Sequence, residues 1–354
     1  MTDLSSLPFD TTPESRATVR ALLWRQLFVV PPAVQDGDLK GKTVLITGSN
    51  RGIGLECGRQ LLTFRPSRLI LGVRNEEKGE SAKESLLASY PQKDVSIDVW
   101  KVDMLSYDSI MELAARANTL DQLDIAVLNV GVLKPKFETT NAHSASNGNS
   151  HEESIQVNVL STTLLSILLL PTLKPKSSSA SSPSRLVVVS SDVSSFAKFK
   201  ERDSRPLLPA FDDPKSYDPF QRYFVSKLLN QLAMSQLAKR VDGSRITITL
   251  PNPGLCHGTR LGMSAKVNIP DIIGTVFKRI VGRHPSVGTR TIMAAAVKFG
   301  PEAHGQYVED GKLQPLPPLA YTPEGQRVAE LLWKEMMEEL SFAKPEDIIA
   351  QSFV

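Results

Sequence analysis

Tyr223 and Lys227, in the run Tyr223-Phe224-Val225-Ser226-Lys227, lie four positions apart and so share a face if this segment is helical. A phenol titrates near ~10 on its own, and a neighbouring ammonium favours the phenolate. Such a tyrosine can pass a proton near neutral pH. Upstream stands Thr47-Gly48-Ser49-Asn50-Arg51-Gly52-Ile53-Gly54, a glycine run between an apolar strand pattern and a helical one. In that context the backbone amides of Gly48 to Gly54 at a helix start face a phosphate. The spacing Gly48-x-x-x-Gly52-x-Gly54 departs from the simple Gly-x-Gly-x-x-Gly pattern. A dinucleotide held there and a proton donor downstream together carry out the net reduction of a carbonyl. The same groups run backwards oxidise an alcohol.

The tip of the second strand reads Leu71-Gly72-Val73-Arg74-Asn75, with no acid to meet a ribose hydroxyl. Arg74, helped by Arg51, suits a 2′-phosphate instead, since a guanidinium matches phosphate geometry. NADP is therefore the expected cofactor. Cys256 and His257 are adjacent in a later loop, but neighbours in sequence rarely converge on one atom, so they read as loop residues.

The elements that must position these residues alternate strand and helix. Apolar strands are expected at Thr43 to Ile46, Leu69 to Val73, Val95 to Val102, Ile125 to Asn129, Arg185 to Ser190 and Arg245 to Leu250. Helices are expected at Gly54 to Thr63, Glu76 to Tyr90, Ser106 to Ala117, Ser154 to Leu170 and Phe224 to Lys239. Strands apolar throughout and separated by helices indicate a doubly wound α/β parallel sheet of Rossmann type, with ligand at the strands' carboxyl ends. The expected layout is an amphipathic extension over 1–39, a nucleotide-binding catalytic domain over 40–310 with a substrate loop at 192–222, and a helical extension over 311–354. Thr12 and Pro13 open a helix whose Val19, Leu22, Leu23 and Leu27 recur at helical spacing and are expected to pack on the core. Phe196, Phe199, Leu207, Leu208 and Phe211 give the substrate loop the apolar residues of a lid. Ala142 to Ser150 and Lys174 to Ser184 are Ser- or Asn-rich and read as surface loops.

Composition excludes several classes. With 354 residues, 41% hydrophobic and 22% charged, the chain is ordinary for a globular protein. A net charge of +3, dispersed along the chain, gives no footprint for nucleic acid. Two cysteines, Cys57 and Cys256, fit reduced thiols in a reducing compartment, and five scattered histidines lack metal-ligand spacing. The run Val157 to Leu173 is interrupted by Asn158, Ser161, Thr162, Thr163, Ser166 and Pro171, so it reads as a buried helix rather than a membrane span. A cytoplasmic protein acting on a small molecule is expected. The helix Ser154 to Leu170 either pairs with a second copy in a homodimer or is buried.

The joint set Thr47-Gly48-x-x-x-Gly52-Ile53-Gly54, Leu128-Asn129-Val130-Gly131, Ser190-Ser191, Tyr223-x-x-x-Lys227 and Pro253-Gly254 resembles the short-chain dehydrogenase/reductase family over roughly Lys40 to Thr259. Arg74-Asn75 and the long segment before Tyr223 resemble its retinol-dehydrogenase-like members. Gln26 to Pro32 and His304-Gly305-Gln306-Tyr307 resemble fungal ones, many of which serve secondary metabolism. The resemblance implies that Asp103 contacts the adenine and that Asn129 steadies the fourth strand beside the cofactor. It implies that Asn158 holds a water in a relay behind Lys227, and that Ser191 bonds the substrate oxygen. Tyr223 would exchange the proton. Lys227 would bind the nicotinamide ribose while lowering the phenol's pKa. Pro253 to Thr259, with Leu255, would close over the nicotinamide. Ser190 and Ser194 compete with Ser191 for its role, and Val130 is larger than the alanine common in the family. The sequence leaves two alternatives: the same chemistry run as an alcohol dehydrogenase, or an NADP-binding regulator without turnover.

Overall fold

The computed structural model describes residues 9–90, 94–140, 150–175, 182–258, 279 and 281–353. Eight strands form one sheet: β1 (Thr43–Thr47), β2 (Arg68–Val73), β3 (Ser96–Lys101), β4 (Ile125–Leu128), β5 (Ser184–Val188), β6 (Ile246–Asn252), β7 (Gln306–Glu309) and β8 (Lys312–Gln314). Their order is β3-β2-β1-β4-β5-β6-β7-β8. All neighbours run parallel except the β7–β8 hairpin. Val44 pairs with Leu69 on one side and with Ile125 on the other, so the strand order reverses at β1. Such a reversal opens a crevice at the carboxyl ends of the strands.

Helices cover both faces, which is why β1, β4 and β6 are buried residue after residue. One layer is built by α3 (Gly52–Leu62) and α4 (Glu76–Ser89), with Cys57, Leu61, Leu62, Ala82 and Leu86 in the core. The other contains α5 (Tyr107–Ala117), α6 (Glu153–Ile155), α7 (Thr162–Leu168), α8 (Leu170–Leu173) and α9 (Pro219–Ala238). Helix α10 (Pro285–Met293) returns to the first layer, and α11 (Pro323–Glu339) and α12 (Pro345–Phe353) close the second. Before all of these come α1 (Pro13–Arg16), capped by Thr12 with Pro13 in its first turn, and α2 (Val19–Phe28).

Several expectations change. The helix from Ser154 to Leu170 is not continuous: α6 and α7 are joined by a wide π-turn over Gln156–Ser161. The Val157 carbonyl there accepts from Thr162 Oγ1, and the Asn158 carbonyl from Asn230 Nδ2. Helix α9 begins at Pro219, earlier than its apolar pattern indicates, because Asp218 caps it. Helix α2 has its apolar side turned outward: Val19, Leu23, Trp24, Leu27 and Phe28 are exposed, whereas the polar Gln26 is buried. The body of the protein offers α2 hydrogen bonds and charges rather than a greasy groove, and those win the buried face. The substrate loop is also different. Phe199, Leu207, Leu208 and Phe211 lie in the core, where Phe199 stacks on Phe211, so these residues fasten the segment to the body of the protein. Most of the two low-complexity stretches falls outside the described residues.

Candidate active site

At the carboxyl ends of the strands lies a cleft of about 730 Å³. Its floor at one end is the turn from β1 into α3. Gly48 sits at φ +66°, and a Cβ on Gly54 would stand 2.3 Å from the Gly48 carbonyl oxygen, so turn and helix approach more closely than any side chain allows. Asn129 Nδ2 donates to the Thr47 carbonyl at 3.1 Å and to the Gly48 carbonyl at 3.4 Å, fastening β4 to this turn. Helix α3 starts without a side-chain cap at Arg51, and Gly52 and Ile53 line the cleft. An uncapped helix start with its dipole facing a cavity is a seat for an anion. Around it the lining cations are Arg51, Arg74 and Lys78. Asn75 is engaged as the cap of α4, accepting from the Lys78 amide at 2.8 Å. Asn50 and Asp103 also line the cleft, and Asp103 Oδ1 accepts from the Leu105 amide. Ser49 is fully buried behind the turn, its hydroxyl without a partner. These features fit a dinucleotide, with the cations at one end of its seat.

Ser191, Tyr223 and Lys227 line the far end. The Ser191 side chain lies beside the Tyr223 phenol and favours its ionised form. Neighbouring serines are otherwise occupied: Ser190 Oγ accepts from Gln231 Nε2 at 2.6 Å, and Ser194 Oγ donates to the Ser191 carbonyl at 2.8 Å. Lys227 Nζ donates to the Val189 carbonyl at 3.0 Å and stands 6.0 Å from the centre of the Tyr223 ring. A Cβ on Gly131 would lie 3.3 Å from Lys227 Nζ and 3.5 Å from Asn158 Oδ1, so the two side chains flank one small space. Asn158, within the π-turn, is itself held: its Oδ1 accepts from the Val132 amide and its Nδ2 donates to the Val132 carbonyl and to Ser226 Oγ.

Burial sets the protonation states. It pushes the Tyr223 phenol well above its ordinary range; the nearby Asp192 charge adds to this, and the Ser191 side chain only partly opposes it. Burial also pushes the Lys227 ammonium down to about 8. The expected lowering of the phenol by Lys227 does not appear in this environment, where desolvation of the phenolate is the largest influence. Cys256 is buried, and its thiol is pushed up to about 12, as suits an inert residue.

Comparison with known proteins agrees with this geometry. The model of the short chain dehydrogenase family matches residues 42–201. A short-chain dehydrogenase of Aspergillus ruber, fogG, is 44% identical over 351 residues, covering 97% of this chain and 98% of its own. A short chain dehydrogenase/reductase of Annulohypoxylon moriforme, mfmJ, is 42% identical over 314 residues and 88% of each chain. The chain belongs to the short-chain dehydrogenase/reductase family. Among solved structures, a short chain dehydrogenase of Escherichia coli complexed with NADPH shares the fold with a TM-score of 0.55 at 21% identity, over 78% of this chain and 99% of that one. A Shigella flexneri member complexed with NADP gives 0.54 at 20%, over 78% and 100%.

Helix α2 adds a wall to the cleft. Leu22, Leu23 and Gln26 of α2 line it beside Ser191, Asp192 and Val193. Neither they nor Lys78 stood out in the sequence. Lys78 had a readable signal, its place four residues after Arg74, but nothing in the spacing of α2 points to a site. Gly254 and Leu255 are part of the lining, whereas Thr259 lies outside the described residues. Val130, also in the lining, packs over the turn: a Cβ on Gly48 would stand 3.0 Å from its Cγ2. No group of three or more metal-ligating side chains occurs among the described residues, and no described helix is long and apolar enough to cross a membrane.

Proposed function

We propose that this chain is an NADP(H)-dependent enzyme that interconverts a carbonyl and an alcohol on a small apolar molecule, working as a reductase at neutral pH. The observation that carries this reading is the convergence of Ser191, Tyr223 and Lys227 at one end of a cleft whose other end is an uncapped helix start ringed by Arg51, Arg74 and Lys78. NADPH, when bound, would supply the hydride for the carbonyl carbon and be left as NADP+. Ser191 and Tyr223 donate hydrogen bonds to the carbonyl oxygen and stabilise the charge that develops there. Tyr223 then gives up its proton, and because burial keeps the phenol neutral it stands in the donor form that reduction requires. Lys227 contributes a cation beside the ribose, and Asn158 keeps the adjoining Gly131–Val132 backbone in place. Arg74, with Arg51 and Lys78, would hold a 2′-phosphate, Asp103 would meet the adenine and Leu255 the nicotinamide. Relatives of known fold that were solved with NADP or NADPH support this choice of cofactor. We take it to be a cytoplasmic enzyme of secondary metabolism, as the resemblance of the chain to fungal members implies.

The test is NADPH consumption across a panel of apolar aldehydes and ketones. The unaltered protein should turn over at least one of them. Tyr223→Phe should lose turnover by roughly a hundredfold or more, in line with the loss of a general acid, while NADPH affinity stays within a few-fold. Near-native turnover in Tyr223→Phe would remove the proton-donor assignment.

A further inference from the structure

Leu22, Leu23 and Gln26 of α2 reach into the cleft from outside the nucleotide-binding core. Gln26 is buried in α2 and holds the backbone of Leu255 from both sides: its Oε1 accepts from the Leu255 amide at 3.0 Å, and its Nε2 donates to the Leu255 carbonyl at 2.9 Å. The same Nε2 reaches the Val281 carbonyl at 3.0 Å. One primary amide thus replaces a neighbouring strand for the turn that follows β6. The fit is close. Gly254 has φ +72°, and a Cβ there would stand 2.8 Å from Gln26 Oε1, so only glycine leaves room for the clamp.

Helix α2 is fixed in register for this contact. Arg283 donates to the Arg25 and Val29 carbonyls at 2.7 and 3.0 Å, satisfying the last turn of the helix, and pairs with Asp310 at 2.8 Å. Glu309, nearly inaccessible at the end of β7, pairs with both Arg16 and Arg25 and accepts from Asn252 Nδ2. Asn252 Oδ1 in turn accepts from the Gly254 amide at 3.0 Å. Arg25 also stands 3.9 Å from Asp192, the residue that follows Ser191. The extension, the serine loop and the Gly254 turn are therefore one connected unit. From that unit Leu22 and Leu23 face into the cleft, at the end opposite the Arg74 cations.

We infer that α2 is a functional wall of the active site, in which Gln26 is a positioning residue for the Pro253–Cys256 turn and Leu22 and Leu23 select substrates with an apolar body. This rests on the oxidoreductase reading for its substrate half only. The clamp follows from the hydrogen bonds themselves, and the selecting residues from their place opposite the charged end of the cleft.

Two measurements on the full chain test the inference. The first is hydrogen exchange at the Leu255 amide. Gln26→Ala should speed it at least tenfold, whereas Gln26→Glu, which keeps the acceptor for the Leu255 amide but sets a carboxylate oxygen against the Leu255 and Val281 carbonyls, should restore only part of the protection. Unchanged exchange in Gln26→Ala overturns the clamp, and this arm reads without any turnover. The second compares a bulky apolar ketone with a small one, using NADPH. Leu23→Ser, at a partly exposed position that tolerates exchange, should raise KM for the bulky ketone fivefold or more, leaving the small ketone, kcat and NADPH affinity within twofold. Equal shifts for both ketones, or a fall confined to kcat, overturn the selecting role. Should the unaltered protein reduce no carbonyl at all, the oxidoreductase reading fails and takes the selecting role with it, while the exchange result still decides the clamp.

Discussion

Arg74 and Lys78 stand near one another at the tip of β2 and the start of α4, both on the cleft wall and both cationic. The acid that lines this end, Asp103, spends one carboxylate oxygen on the Leu105 amide. A phosphate entering here meets donors and no competing carboxylate at the β2 tip, which offers a bare ribose no acid of its own. Hydrogen bonds to a charged group are worth about 1.5–3 kcal/mol each. NADPH should therefore bind roughly tenfold to a hundredfold more tightly than NADH. Arg74→Ala should remove most of that preference and Lys78→Ala a smaller part, because a lysine contributes a point charge rather than a fork of donors. Titration of each cofactor by fluorescence checks this, and equal affinities in the unaltered protein would refute it. Among residue-level assignments, Tyr223 and Lys227 were legible because a helical spacing of four is a geometric statement. Their protonation was not, since it depends on burial that only the closed fold creates.

Elements carry information of a different kind. The segment at His151, the substrate loop and α11 meet where His151 Nδ1 lies 3.0 Å from Asp212 and Nε2 lies 3.2 Å from Glu339, beside a cavity of about 490 Å³ that Glu335 and Glu338 also line. Burial alone would lower the imidazole's pKa, but the bonds and charges of Asp212 and Glu339 outweigh it and raise it from 6.5 to about 9. A group raised on folding stabilises fully below its unfolded pKa and loses that contribution as pH climbs through the folded one. The loss should thus run from pH 6.5 to about 9 and amount to roughly 3 kcal/mol at most. Thermal melts across that window should fall in the unaltered protein and be flatter in His151→Gln; parallel curves would show that His151 does not hold these elements together. The parallel core strands and α3, α4 and α5 could be read because their apolar periods are long and regular. The β7–β8 hairpin could not, since its strands are four and three residues long and carry Gln306, Glu309, Lys312 and Gln314. The π-turn at Asn158 is equally silent in sequence, because hydrogen-bond register leaves no hydrophobic period. For α2 the period was found and the face misjudged: periodicity says that a helix has two sides, not which side the protein will cover.

Across the whole molecule, the chain's own C-terminus decides what happens to the helices that the sequence left open to a second copy. Helices α11 and α12 lie over α7, α8 and α9: Val328, Leu332, Met336 and Ile349 join the core they form, and Arg240 sits 4.7 Å over the Trp333 ring. Lys174, beyond α8, donates to the Gln351 carbonyl at 3.1 Å, and every residue from Ser154 to Ile167 is buried within one chain. A face already covered by some thirty residues has little apolar area left to contribute, and stable dimers bury about 800 Å² per partner. The protein should therefore behave as a monomer of 38.8 kDa in light scattering after gel filtration, at concentrations up to tens of micromolar. Ending the chain before Pro345 uncovers α7 and α8 and should give mass that rises with concentration, since exposed apolar faces seek a partner. A constant doubled mass for the full chain would show instead that a surface outside these helices makes the contact, and that the C-terminal cover is not what sets the oligomeric state.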